Sequence, residues 1–254
     1  ARPILAKNVG MCSRLGGDIG AYTVSQKDLP KALRDKTSGL PITSPAIIYI
    51  RDAPNAPSIS RPSKGSVILS ANGKPMTSGA LKADVKTITV RSAGKTRQVA
   101  VESTPVCGYP ARLKYSPEIN AYANGREIIV TTGMMDFAND AQIAVIVGHE
   151  LAHNTQGHIR KIIQNTILAL GRGSFARKFE SEADYLGLYY AARAGYALEQ
   201  APGFWRKLAL TSVKSLEVPK SHPITPERFV RLRAAITEID HKRARGVPLL
   251  PNKH

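Results

Sequence analysis

The chain has 254 residues, 43% hydrophobic and 22% charged, with 20 glycines and 17 prolines. That composition excludes collagen-like, coiled-coil and low-complexity classes and leaves one large globular domain or two modest ones. Lysine and arginine number 36 against 19 acidic residues, a net charge of +17, which favours anionic partners without choosing among them. In chain order, four segments rich in β-branched residues read as strands: Ala46–Ile50, Ser66–Ser70 closed by Asn72-Gly73, Lys86–Val90 and Arg97–Val101. They predict a small β-rich domain over residues 1–108, and the proline-containing stretch Ser103–Pro110 reads as a linker. A strand at Glu127–Thr132 opens the second domain, residues 109–254. Helices are expected from Asn139-Asp140 to about Gln164, from about Ala176 to Ala194, from about Leu198 to Leu210, and from Thr225-Pro226-Glu227. That last triplet supplies a cap, a proline at the first helical position and an acid in the first turn. The expected class is α+β.

Apolar runs such as Ala46–Ile50 and Ile143–Val147 stop at five residues, far below the roughly 18 needed to cross a bilayer, so no transmembrane segment is expected. The start, Ala1-Arg2-Pro3, lacks a charged and then apolar leader, so a secretion signal was removed or never present. Cys12 and Cys107 lack metal-site spacing, which leaves open one long-range disulfide or two free thiols.

All six histidines lie in the second half, at 149, 153, 158, 222, 241 and 254. His149-Glu150-Leu151-Ala152-His153 is an H-E-x-x-H motif inside the most strongly helical segment. Positions four apart on a helix differ by about 40° around the axis, so both imidazoles project from one face and can share a metal. Two neutral imidazoles suit zinc, and Glu150 beside them can take a proton from water that the metal acidifies to a pKa of about 7. That is equipment for peptide-bond hydrolysis. A third ligand is needed. On one continuous helix His158 falls about 180° from His149, so it reads as a surface or packing residue. Glu180 and Asp184, four apart on the next helix, share a face from which Glu182 points away. One carboxylate can bind the metal while the other accepts a hydrogen bond from the far nitrogen of a ligand histidine; spacing alone leaves the two roles open.

Residues 115–235 resemble the gluzincin metallopeptidases of the CAAX prenyl protease, HtpX and Oma-type family. The resemblance is carried by Ser116-Pro117-Glu118-Ile119-Asn120-Ala121-Tyr122-Ala123, Ile129–Gly133, Gly148–His153, Glu180–Asp184 and Ser221-His222-Pro223 followed by Glu227-Arg228. It implies a mostly helical zincin-type domain with a small edge sheet and one zinc per chain. His149, His153 and Glu180 would be its ligands, Asp184 the partner of a ligand histidine, and Glu150 the general base and later acid. It further implies that Asn120 and Ala121 begin an edge strand to which an extended substrate adds, that His222 stabilises the oxyanion, and that Arg228 contributes to substrate binding. Val67–Pro75, with the two strands around Ala93-Gly94-Lys95, resembles the second half of a PDZ domain; Ser78–Val85 is the helical stretch that goes with it.

Without membrane helices the chain is similar to the soluble exported branch found in bacterial envelopes. This implies a periplasmic or peripherally attached quality-control protease acting on unfolded polypeptides, with its basic charge meeting an anionic membrane surface. The basic run His241–Arg245 lacks the aromatic interleaving, zinc-finger spacing or phosphate loop of a nucleic-acid binder, and no nucleic-acid partner is expected. The rival is a non-hydrolytic reading, a latent zinc fold that serves as a chaperone or binding scaffold.

Overall fold

The computed structural model describes residues 1–19, 21–25, 47–52, 66–76, 84–92, 94–168, 175–211 and 226–252. The chain starts with α1 (Arg2–Lys7), a 3-10 turn at Val9–Met11 and β1 (Leu15–Asp18). Six strands follow: β2 (Ala21–Ser25), β3 (Ile47–Asp52), β4 (Val67–Ala71), β5 (Lys74–Pro75), β6 (Thr87–Ser92) and β7 (Lys95–Ala100). They form one antiparallel sheet in the order β2-β3-β4-β6-β7, with β5 folded back on β4. β3, β4, β6 and β7 fall within two residues of the four expected segments. The Asn72-Gly73 turn works because both residues adopt positive φ, 46° and 74°, as a tight hairpin demands. Ile68, Met76, Val85, Ile88, Val90 and Val99 close a small apolar core under this sheet. The expected helical stretch Ser78–Val85 lies outside the described residues except for its last two.

The rest of the chain carries β8 (Thr104–Cys107), β9 (Ala111–Lys114), β10 (Ala121–Ala123) and β11 (Ile128–Thr131). The helices that follow are α2 (Thr132–Phe137), α3 (Asp140–Thr155), α4 (His158–Leu168), α5 (Phe175–Arg193), α6 (Ala201–Leu210) and α7 (Pro226–Ala244). The class is α+β, as expected. Ser103–Pro110 is not a bare linker: it contains β8, which pairs antiparallel with β1, Leu15 opposite Cys107. Val106, Cys107 and Tyr109 are buried with Ile4 and Leu5 in the same core as the helices. The physical reason is packing of apolar side chains from both segments onto α5, where Asn8 also donates a hydrogen bond to the Tyr190 carbonyl at 3.0 Å. Cys12 and Cys107 form a disulfide, with Cα atoms 5.5 Å apart, which decides between the two alternatives left by the sequence. The six-stranded sheet therefore leaves and rejoins the helical half at one clasped neck.

Helix α3 begins where the sequence predicts, because Asn139 and Gln142 form a reciprocal capping box. It does not run to Gln164. It ends at Thr155, Gly157 takes a φ of 64° that few other residues tolerate, and α4 starts anew at His158. α3 packs along α5, and α5 packs along α7. The small sheet β10-β11-β9 also packs on α3, with β10 antiparallel and β9 parallel to β11. β10 is thus an edge strand.

Candidate metal centre

Helices α3 and α5 meet backbone to backbone. A Cβ on Gly148 would lie 2.4 Å from the Gly187 carbonyl oxygen, and one on Gly187 would lie 2.6 Å from the His149 nitrogen. Only glycine permits such an approach. It brings the face carrying His149 and His153 against the face carrying Glu180 and Asp184, all four of them buried.

His149 Nε2 and His153 Nε2 are 3.1 Å apart. Glu180 Oε2 lies 3.4 Å from His149 Nε2, and Glu180 Oε1 lies 3.2 Å from His153 Nε2. Three donors around a tetrahedral zinc at ~2.0–2.1 Å stand ~3.3 Å from one another, so these separations are the edges of such a tetrahedron. Two nitrogens and one carboxylate are also the donor types zinc accepts in an open site. The three residues form a cluster fit to hold a metal ion. Glu150 is buried at 3% exposure and its charge acts on His153.

The two imidazoles are braced on their far sides. Asp184 Oδ1 lies 2.9 Å from His149 Nδ1 and accepts a hydrogen bond of 2.7 Å from Arg228 Nη2. Arg228 in turn sits over Trp205, its Cζ 3.5 Å from the ring centroid. Burial acts to raise the Asp184 carboxyl, but Arg228 and His149 outweigh it and hold the pKa below the ordinary value. Burial likewise acts to lower His149, yet its hydrogen bonds to Asp184 and Glu180 win and lift it to about 10. His153 goes the other way, lowered chiefly by burial. Arg228, expected to touch substrate, is buried at 6% exposure and turned onto Asp184; the α5–α7 packing places it there.

His158 is a packing residue and not one of the metal-facing trio, as one of its two readings had it, but it does not lie on the far side of one helix. Because α3 breaks at Gly157, the count around a continuous helix does not apply, and the ring returns to within 3.0 Å of His153, Nδ1 to Nδ1. It is fully buried, and burial first, then His153, lowers its pKa to about 4, so it is neutral at pH 7. Glu182 stays outside the metal-facing trio, as expected, but its Oε2 lies 3.3 Å from His158 Nε2.

Asn120 and Ala121 sit at the entry of β10. Thr131 saturates the Asn120 backbone, its N–H donating to the Asn120 carbonyl at 3.0 Å and its hydroxyl accepting from the Asn120 N–H at 3.1 Å. Ala121 pairs with Val130. Asn154, on the last turn of α3, ties that helix to the β10–β11 turn: it accepts from Gly125 N–H and donates to the Glu127 carbonyl. His222 lies outside the described residues. Sequence reasoning missed Gly148, Gly187, Trp205 and Asn154; for the glycines, only their place opposite the metal residues on two helices could have signalled a contact.

A sequence model of peptidase family M48 matches residues 81–172 and 162–236. The mitochondrial metalloendopeptidase OMA1 of Arabidopsis thaliana is 33% identical over 144 residues, covering 47% of this chain and 30% of the relative. The mitochondrial metalloendopeptidase OMA1 of Danio rerio is 30% identical over 179 residues, covering 54% and 37%. The β-barrel assembly-enhancing protease of Escherichia coli K12 is 24% identical over 155 residues, covering 46% and 32%. The chain thus spans about a third of the length of these curated relatives. Among solved structures, the HtrA3 PDZ domain bound to a phage-derived ligand superposes at a TM-score of 0.28 and 18% identity, over 37% of this chain and 93% of that one, too loosely to bear on the fold. The family model extends over more than half of the 254 residues, with α3 and α5 inside it, and the chain belongs to peptidase family M48.

Proposed function

We propose that the chain is a zinc-dependent endopeptidase that cleaves extended or misfolded polypeptides in an exported, envelope-associated setting. The observation that carries this is the spacing of His149, His153 and Glu180, three buried donors separated as three corners of a zinc tetrahedron would be, with a buried carboxylate, Glu150, next in sequence to His149. Zinc, when bound, supplies a Lewis acid that polarises the scissile carbonyl and acidifies water. Glu150 takes the proton from the attacking water and delivers it to the leaving amine. Asp184, locked by Arg228, holds the Nδ1 proton of His149 so that Nε2 offers its lone pair. Substrate adds as a further strand on the free side of β10, with its first backbone hydrogen bonds to Ala121 because the Asn120 backbone is spent on Thr131, a mode that tolerates many side chains.

The setting rests on the Cys12–Cys107 disulfide, since such bonds persist in oxidising compartments, and on the name of one bacterial relative, which refers to β-barrel assembly. No helix among the described residues is long and apolar enough to cross a membrane; the net charge of +17 supports peripheral contact with anionic lipid. For the six-stranded region the proposal is a PDZ-like scaffold.

The test uses the zinc-loaded chain and unfolded casein. The wild type produces fragments, and Glu150→Gln keeps one zinc while turnover falls about 10²–10⁴-fold, the usual share of a general acid–base. Casein held but uncut by both proteins would establish the scaffold reading instead.

A further inference from the structure

We propose that His158 and Glu182 are positioning residues for the metal ligand His153, joined in one relay that runs Glu182 to His158 to His153. The inference rests on the zinc reading above and assigns to its second imidazole a support distinct from the Asp184–Arg228 support of the first. The geometry dictates the direction of each hydrogen bond. A carboxylate only accepts, so Glu182 Oε2, 3.3 Å away, takes the Nε2 proton of His158. His153 can ligate a metal through Nε2 only with its single proton on Nδ1, so across the 3.0 Å Nδ1–Nδ1 contact the bare nitrogen is His158 Nδ1. His153 then donates from Nδ1, and its Nε2 lone pair is left facing His149 and Glu180. His149 reaches the same state through Asp184, so both rings present Nε2 to one point.

The surroundings hold His158 in this role. It is fully buried, it stacks on Phe179 with ring centroids 4.6 Å apart and planes 24° from parallel, and it meets His153 edge-on at 5.0 Å. The break at Gly157 is what turns it inward. His158 is not itself a ligand candidate: its Nδ1 is spent on the far nitrogen of His153, and the metal-fit cluster contains His149, His153 and Glu180 without it. The Glu182 side chain is 39% exposed, so it can be changed with little effect on the core.

The experiment measures zinc affinity by chelator competition, zinc stoichiometry, and the visible spectrum of the cobalt-substituted protein, for the wild type, His158→Phe, His158→Asn, Glu182→Ala and Glu182→Gln. Phenylalanine keeps the stacking on Phe179 and removes both nitrogens, and zinc affinity should fall about 10–100-fold, as when outer partners of metal ligands are lost. One ion should still bind at saturation, with an altered cobalt spectrum. Asparagine places an acceptor near the lost Nδ1 and should recover most of the affinity. Glu182→Ala should weaken zinc by about 3–10-fold, while Glu182→Gln, whose carbonyl still accepts, should stay near wild type. Wild-type affinity in both His158→Phe and Glu182→Ala would overturn the relay, as would loss of stoichiometric zinc in His158→Phe, which would make His158 a ligand. Should His158→Phe not fold, the two Glu182 variants decide: a loss rescued by glutamine supports the relay, and no loss overturns it. Failure of the zinc reading is separate, because then the wild type itself would bind no stoichiometric zinc.

Discussion

The six-stranded region and the helical half are built on opposite policies toward buried polarity. Among the described residues, the sheet region buries Ser66 as its one polar side chain. The helical half, with the N-terminal segment clasped to it, buries Asn8, Thr131, His149, Glu150, His153, Asn154, His158, Glu180, Asp184 and Arg228. Burying a polar or charged group is unfavourable unless it is well partnered, so a core of this kind is not optimised for stability. Seven of those ten are the ionisable groups of the metal centre and its braces. The difference teaches where the chemistry lies: a dry, partnered cluster of shifted groups marks a working site, and an apolar sheet core marks a scaffold.

Mutations that strike one side test this division. The largest effect is expected from His149→Ala or His153→Ala, which should abolish stoichiometric zinc by metal analysis while the β signature of the sheet persists in circular dichroism; full zinc retention would refute the site. Next comes the clasp: Cys12→Ser with Cys107→Ser frees a loop closed across 95 positions, and about 4.7 kcal/mol of stability should disappear in urea unfolding by the loop-entropy relation. Gly187→Ala should cost at least about 2 kcal/mol and loosen zinc, because its Cβ meets backbone on α3 and neither helix can yield alone. The control, Gly203→Ala on α6, has nothing within 4 Å and should be neutral or gain up to about 1 kcal/mol. A separate test is pH dependence. In the metal-free protein the raised pKa of His149, about 10 against an ordinary 6.5, means that its contribution to stability is complete below 6.5 and fades as pH climbs through about 10. Zinc must displace that proton, so affinity should rise about tenfold per pH unit between 7 and 9 in competition titrations; a flat profile would show His149 neutral in the free protein.

Much of the helical half was legible from short-range pattern. Four-residue spacing put His149 with His153 and Glu180 with Asp184, and Asn139 announced the start of α3. What pattern could not reveal were contacts between distant segments. The pairing of β1 with β8 joins two four-residue strands whose partners lie nearly ninety positions apart, and β1 carries Gly16 and Gly17, which read as turn rather than strand. The Gly148–Gly187 contact is invisible because glycine in a helix ordinarily signals only weakness. The packing role of His158 follows from its spacing, but its side of the molecule does not, because Gly157 ends α3 and the angular count along one helix stops short of residue 158. The edge sheet was legible mainly through family likeness, because β10 has three residues and little alternation.

The clasp at the neck has one practical consequence. Both ends of the stretch from residue 13 to residue 106 are held by a single covalent bond between Cys12 and Cys107. Backbone hydrolysis anywhere within that stretch would leave the two products migrating as one species until a reductant is added. A preparation judged intact on a non-reducing gel could therefore be fully nicked, with its metal-binding helices unharmed.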